Sequence, residues 1–268
     1  MPYTKINGAN LYYEESGAGP ETIVFSHGLL WSGYMFKDQV EEFKKNYHCL
    51  TFDFRGQGKS EVTRSGYSIE SLYEDTVKVL ETLVGKPCHF AGLSMGGFMA
   101  LRLGIRRPDL VKSLILIDTS ARPEPVKNLP KYLALLVIGR YLGLKLVKNP
   151  GMKVMFGKKF LNDPQRVDLK KEWEGRFVSN HRIGISNALM GVITRKGVYD
   201  QLNAIHTPTL ILIGDQDVGT LPDESRRMHT RIRDSQLVFI PGSGHSSSVE
   251  EPAFVNHAMK EFLSSLGR

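Results

Sequence analysis

Short, nearly continuous apolar runs recur along the chain, separated by stretches in which apolar residues return every three or four positions. The runs are "TIVFS" (Thr22–Ser26), "HCLTFDF" (His48–Phe54), "CHFAGL" (Cys88–Leu93), "SLILID" (Ser113–Asp118), "TLILIG" (Thr209–Gly214) and "QLVFIP" (Gln236–Pro241). Runs that do not alternate with polar residues predict strands buried on both faces, as in a mainly parallel sheet. Before them, "YTKINGANLYYEES" predicts two short strands around Asn7-Gly8, a pair that tolerates positive φ. Between the runs, "IESLYEDTVKVLETLVG" (Ile69–Gly85) and "EEPAFVNHAMKEFLSSLG" (Glu250–Gly267) have helical spacing, and Gly85 is a helix stop. Strands alternating with helices predict an α/β doubly wound sheet.

One interval breaks the alternation. From about Thr119 to Tyr199 no strand is predicted, only helical pieces such as "YLALLVIGRYLGLKLVK" (Tyr132–Lys148), punctuated by Pro123, Pro125, Pro130, Pro150 and Pro164. This predicts a helical cap, residues 121–196, inserted after the sixth strand into a core formed by 1–120 and 197–268. The 268 residues suit one sizeable domain with such an insertion.

Charge sharpens that division. Of the net +7, residues 122–196 carry +11, from sixteen Lys/Arg against five Asp/Glu, which leaves −4 for the rest. A basic segment on a mildly acidic body is a local surface property. With no zinc-finger spacing, recognition helix or RNA-binding signature, no nucleic-acid partner is expected. No stretch approaches the ~20 apolar residues of a membrane span. The only cysteines, Cys49 and Cys88, fall inside predicted strands, which suggests two buried thiols. With no apolar leader in "MPYTKINGANLYYEESG", they point to the cytoplasm.

The candidate chemistry sits at "HFAGLSMGGFMALRLG" (His89–Gly104). Gly92-Leu93-Ser94-Met95-Gly96 matches G-x-S-x-G, between a buried strand and a helix. There a sharp turn lifts a serine above the sheet edge and small neighbours let the backbone close. The helix that follows aims free N–H groups at negative charge forming beside Ser94. A serine needs a base. Of eight histidines, His245 stands out, on the loop "PGSGHSSSVEEP" after the last strand. His48 and His89 begin strands, His206 lies in a linker, and His181, His229 and His257 lie in solvated helical stretches. A base histidine needs a carboxylate to set its tautomer. "LILIGDQDVGTLP" offers Asp215 and Asp217, and Ser94, Asp217, His245 is the chain order of one triad architecture.

Five segments in order, "SHGLL", "DFRGQGKS", "GLSMGG", "GDQD" and "GHSSSVEEP", give the chain a resemblance to the α/β-hydrolase fold superfamily over almost its full length. That resemblance implies Ser94 as nucleophile, His245 as base and Asp217 as acid. Asp215 is then a turn residue, and Asp118 is an alternative position for the acid. It also implies that His27 shapes a loop, that the N–H groups of Leu29 and Met95 form an oxyanion hole, and that Asp53 and Arg55 support neighbouring loops. Serine in place of aspartate argues against epoxide hydrolases and dehalogenases. Within the superfamily, "GYSIESLYEDTVKVLETL", "GLSMGG" and "ITRKGVYDQLNAIHTPTLILIGDQDVGTLP" resemble the 3-oxoadipate enol-lactonase-like hydrolases, a look shared with small esterases and cofactor-free perhydrolases.

The expected activity is therefore carboxylic ester hydrolysis through an acyl-enzyme, with no metal or other cofactor. Lactonase comes next, then C–C hydrolase or perhydrolase. A ligand-binding protein on the same fold is the non-enzymatic alternative. Small-molecule esters of small or medium acyl chains, or lactones, are the expected substrates, with the cap, Leu30 and Trp31 lining the pocket. The basic cap is expected to be solvated, with interfacial contact or steering of anionic substrates as the functional alternatives.

Overall fold

The computed structural model describes residues 2–267. Eight strands form one sheet in the order β1-β2-β4-β3-β5-β6-β7-β8. Strands β1 (Tyr3–Ile6) and β2 (Ala9–Ser16) form the hairpin around Asn7 and Gly8, both with positive φ. They add to the sheet antiparallel, through β2 against β4 (His48–Phe52). From β4 onward every pairing is parallel, through β3 (Thr22–Ser26), β5 (Cys88–Leu93), β6 (Val111–Ile117), β7 (Thr209–Gly214) and β8 (Ser235–Ile240). Strands β3, β5 and β7 are buried at every position, as their unbroken apolar runs require. The β8 run is also apolar, yet its first five residues are only partly buried or exposed, because it closes the sheet at an edge.

Helices cover both faces. On one side α2 (Ile69–Val79) and α3 (Met95–Arg106) bury Leu72, Val79, Met99 and Leu103, and α9 (Pro222–Arg231) adds Met228. On the other, α1 (Lys37–Phe43) contributes Phe43, and the C-terminal helix contributes Val255, Met259 and Phe262. That last helix is shorter than its periodicity predicts. A separate turn, α10 (Ser247–Glu250), precedes α11 (Pro252–Ser265), because Pro252 fits only the first helical turn. Cys49 and Cys88 are free, buried thiols.

Between β6 and β7 every regular element is helical: α4 (Leu129–Val137), α5 (Leu144–Met155), α6 (Lys158–Asn162), α7 (Val167–Ser179) and α8 (Arg182–Ile193), with short 3-10 and π turns. The stretch Tyr132–Lys148, expected to be one helical piece, is broken. A π turn carries α4 to Leu142, and Gly143 at φ 113° redirects the chain into α5. Aromatic packing ties this helical stretch to the loop after β3. Trp31 meets Trp173 edge-on at 4.9 Å and lies 5.8 Å from Phe156. Among the described residues no helix is long and apolar enough to cross a membrane.

Candidate active site

Only Ser94 separates β5 from α3, so the chain reverses direction within one residue. Its backbone is forced to φ 52°, ψ −109°, a region a side chain rarely tolerates. Packing holds it there. The Ser94 N–H donates to Ile117 O at 2.8 Å, and Thr119 Oγ1 donates to Ser94 O at 2.8 Å. The glycines are required by close approach: a Cβ on Gly92 would lie 2.3 Å from Gly96 O, and one on Gly96 would lie 2.0 Å from Ser26 O.

Two loops at the same sheet edge deliver the partners. His245, after β8, places Nε2 2.8 Å from Ser94 Oγ and Nδ1 2.8 Å from Asp217 Oδ2. Asp217 follows β7 and is fully engaged. Its Oδ1 accepts from the Gly219 and Thr220 amides at 2.7 and 2.9 Å, while Oδ2 also accepts from Thr220 Oγ1 at 2.8 Å. A carboxylate fixed in this way sets the Nδ1–H tautomer and leaves Nε2 free to accept the Ser94 proton. Burial disfavours the imidazolium. Asp217, with help from Asp118 and Glu250, outweighs that and raises the His245 pKa above the ordinary histidine value.

The remaining acids take other places. Asp215 caps a turn by accepting from the Gly242 amide at 2.7 Å. Asp118, fully buried at the end of β6, accepts from Gly214 N at 2.9 Å and Ser247 N at 3.0 Å, and so braces the loops that carry Asp217 and His245. Glu250 accepts from Gly157 N of the cap (2.8 Å) and from Gly244 N (2.9 Å) and Ser246 N (3.3 Å) on either side of His245. Burial, reinforced by the charge of Asp217 for Asp118 and of Asp118 for Glu250, pushes both carboxyls up to about 7.

The folded protein therefore holds these protons more tightly than the unfolded chain, whose carboxyls titrate near 4. It binds more protons between roughly pH 4 and 7, and stability falls as pH rises through that window. Glu250→Gln removes one such group. Plotted against pH, the stability of the variant from urea unfolding should decline less steeply than that of the wild type, by up to about 1.4 kcal/mol per pH unit. A slope equal to that of the wild type would contradict this reading of Glu250.

The loop after β3 completes the edge. His27 bonds through Nδ1 to Gly28 O at 2.7 Å and accepts the Phe54 amide on Nε2 at 3.0 Å, so both ring nitrogens are committed to shaping the loop. Burial lowers its pKa and keeps it neutral. Asp53 accepts from Gly33 N and Lys59 N, and Arg55 makes two 2.7 Å bonds to buried Asp75, both bracing contacts. Among the described residues, neither the Leu29 nor the Met95 amide donates to a protein acceptor. Leu30, at φ 73°, is held by Gln57 Oε1 on its N–H and Asn180 Nδ2 on its carbonyl.

An apolar cavity of about 120 Å³ opens beside Ser94 and His245, lined by Leu29, Leu30, Phe98 and residues of α4, α5 and α8. Leu30 lines it. Trp31 does not. The residue is 2% exposed, its ring packs in an aromatic cluster with Trp173, and its Nε1 donates to Ser246 Oγ at 3.2 Å.

A family model for the alpha/beta hydrolase fold matches residues 21–252, most of the chain. The chain belongs to that family. Its relatives among alpha/beta hydrolases include a protein of Pseudomonas syringae pv. syringae provisionally named carbamate hydrolase RutD, 28% identical over 92% of this chain and 95% of that one. The 3-oxoadipate enol-lactonase 1 of Acinetobacter baylyi is also 28% identical, over 92% and 91% of the two chains. Among solved structures, a thermophilic esterase from Thermogutta terrifontis superposes with a TM-score of 0.91 at 27% identity, covering 99% of both chains. The protein is thus a hydrolase-fold enzyme with relatives of several named activities.

Three features of this candidate site carry no local sequence signal. Thr220, which bonds Asp217, had no motif to mark it. Glu250 stood in the quoted "SSSVEEP" but read as the start of a helix. Inside the cavity wall, Arg195 Nη1 pairs with Glu124 at 3.1 Å, with both side chains under 10% exposed. Two charges 71 residues apart in the cap carry no local signal of that contact.

Proposed function

We propose that the protein hydrolyses carboxylic esters of small, uncharged acyl groups through an acyl-enzyme. One observation carries this reading: the 2.8 Å contacts that link Ser94 Oγ to His245 Nε2 and His245 Nδ1 to Asp217. His245 Nε2 takes the Ser94 hydroxyl proton as Oγ bonds to the ester carbonyl carbon. The carbonyl oxygen becomes an oxyanion that accepts from the Leu29 and Met95 amides, the latter at the N-terminus of α3. Collapse breaks the bond to the alcohol, which leaves with the proton from His245. Water, deprotonated by the same nitrogen, then attacks the acyl carbon and frees the acid and Ser94.

The cavity supports the choice of acyl group. A space near 120 Å³ compares with the benzene-sized cavities of protein interiors and accommodates roughly four to six carbons. Its one cation, Arg195, is already neutralised by Glu124, which favours uncharged acyl groups over carboxylated lactones. A panel of p-nitrophenyl esters should therefore give maximal kcat/KM at about four to six carbons and a fall of at least tenfold by ten carbons. A carboxylated lactone turned over faster than every ester of the panel would replace ester by lactone as the substrate class.

The pH profile follows from His245. Only neutral imidazole accepts the serine proton, so kcat/KM should fall with acid, with a midpoint above the ordinary histidine value of about 6.5. A midpoint well below 6.5 would contradict the charge arrangement around the ring.

A further inference from the structure

The helix formed by α4 and its π-turn extension is apolar on two faces. Inward, Tyr132, Leu135, Leu136 and Gly139 line the cavity. Outward, Leu133, Val137 and Tyr141 repeat every four residues and are 42%, 52% and 69% exposed. Leu142 and Leu146, on either side of the Gly143 break, are also exposed, at 68% and 63%. A soluble helix normally keeps one apolar face, turned inward, so a second, exposed set of apolar side chains marks a contact surface.

Charge identifies what the surface meets. Residues 125–162 contain eight Lys/Arg and no Asp or Glu. Lys148 pairs with Glu174 and Lys159 with Glu251, but Lys127, Lys131 and Lys145 are exposed and pair with no carboxylate among the described residues. A second copy docked face to face would set these cations against each other. An anionic phospholipid bilayer meets both features, taking apolar side chains at the headgroup boundary and ammonium groups at the phosphates.

We propose that the outer face of α4 and α5 docks on anionic phospholipid bilayers. The contact is peripheral and reversible, since five apolar side chains and three cations fall far short of a spanning segment. It is independent of the chemistry at Ser94, so Ser94→Ala should bind vesicles as the wild type does.

The test is flotation of the full chain with phosphatidylcholine vesicles, pure or carrying about 30% phosphatidylglycerol, at low and high salt. Binding should favour the anionic vesicles by at least about tenfold and disappear at high salt. The charge reversal Lys131→Glu/Lys145→Glu should lower it at least about 25-fold, since each surface cation is worth about fivefold. Leu142→Ser/Leu146→Ser should also abolish it, and both double variants should keep the wild-type melting temperature because all four side chains are exposed. Absence of binding, equal binding to neutral vesicles, or unchanged binding by both double variants would overturn the proposal. So would a dimer in solution that Leu142→Ser/Leu146→Ser dissolves, without vesicle binding, because a second copy would then cover the face.

Discussion

Ser94→Ala should lower kcat for p-nitrophenyl butyrate by about 10⁴- to 10⁶-fold while leaving the fold intact. The Ser94 side chain makes one protein hydrogen bond, to His245 Nε2, so its loss leaves no buried backbone group unpaired. The bend is held by the backbone bonds to Ile117 and from Thr119, which alanine keeps. Without Oγ no acyl-enzyme forms. Only the Leu29 and Met95 amides and the cavity remain, and such remnants give a small fraction of the rate. Turnover within about tenfold of the wild type would exclude Ser94 as the nucleophile.

Asp217→Asn should cost about 10³- to 10⁴-fold in kcat. An amide NH₂ facing His245 Nδ1 makes that nitrogen an acceptor and moves the ring proton to Nε2. Nε2 then points a hydrogen at Ser94 instead of a lone pair. Asp118→Asn is the informative contrast. Among the described residues Asp118 meets only the Gly214 and Ser247 amides, so one of the two loses its acceptor when an NH₂ replaces an oxygen. That should cost about 1–3 kcal/mol of stability and less than about tenfold in kcat. The reverse order of kcat losses would assign the acid to the end of β6.

The sheet was readable because parallel strands buried on both faces must be apolar throughout, so each run announces itself. The antiparallel hairpin was marked by Asn7-Gly8. The partial exposure of β8 was not readable, since an edge depends on which strand lies beside it. The helical stretch between β6 and β7 showed as an interval without strands, but its break at Gly143 was hidden by apolar spacing that continues through it. At the site, Ser94 was legible from local geometry, because a strand-to-helix reversal demands small neighbours at Gly92 and Gly96. Asp217 could be separated from Asp215 and Asp118 only by resemblance, since all three follow strands at one sheet edge. Trp31, expected beside Leu30, does not line the cavity by Ser94, because sequence adjacency does not fix side-chain direction. At φ 73° Leu30 faces the cavity, and the next side chain turns under the cap against Trp173. Glu250 and the Arg195–Glu124 pair were beyond reach because their partners are brought together only by the folded cap.

The proposed function makes Ser94 a nucleophile activated by His245. A fluorophosphonate probe, followed by peptide mass spectrometry, tests it most directly, because the probe bonds covalently far faster to a serine whose proton is being withdrawn than to an ordinary one. The adduct should sit on the peptide carrying Ser94, form faster as pH rises through the His245 titration, and be absent in His245→Ala. An adduct on another serine, or labelling of Ser94 at the same rate in His245→Ala, would contradict the account.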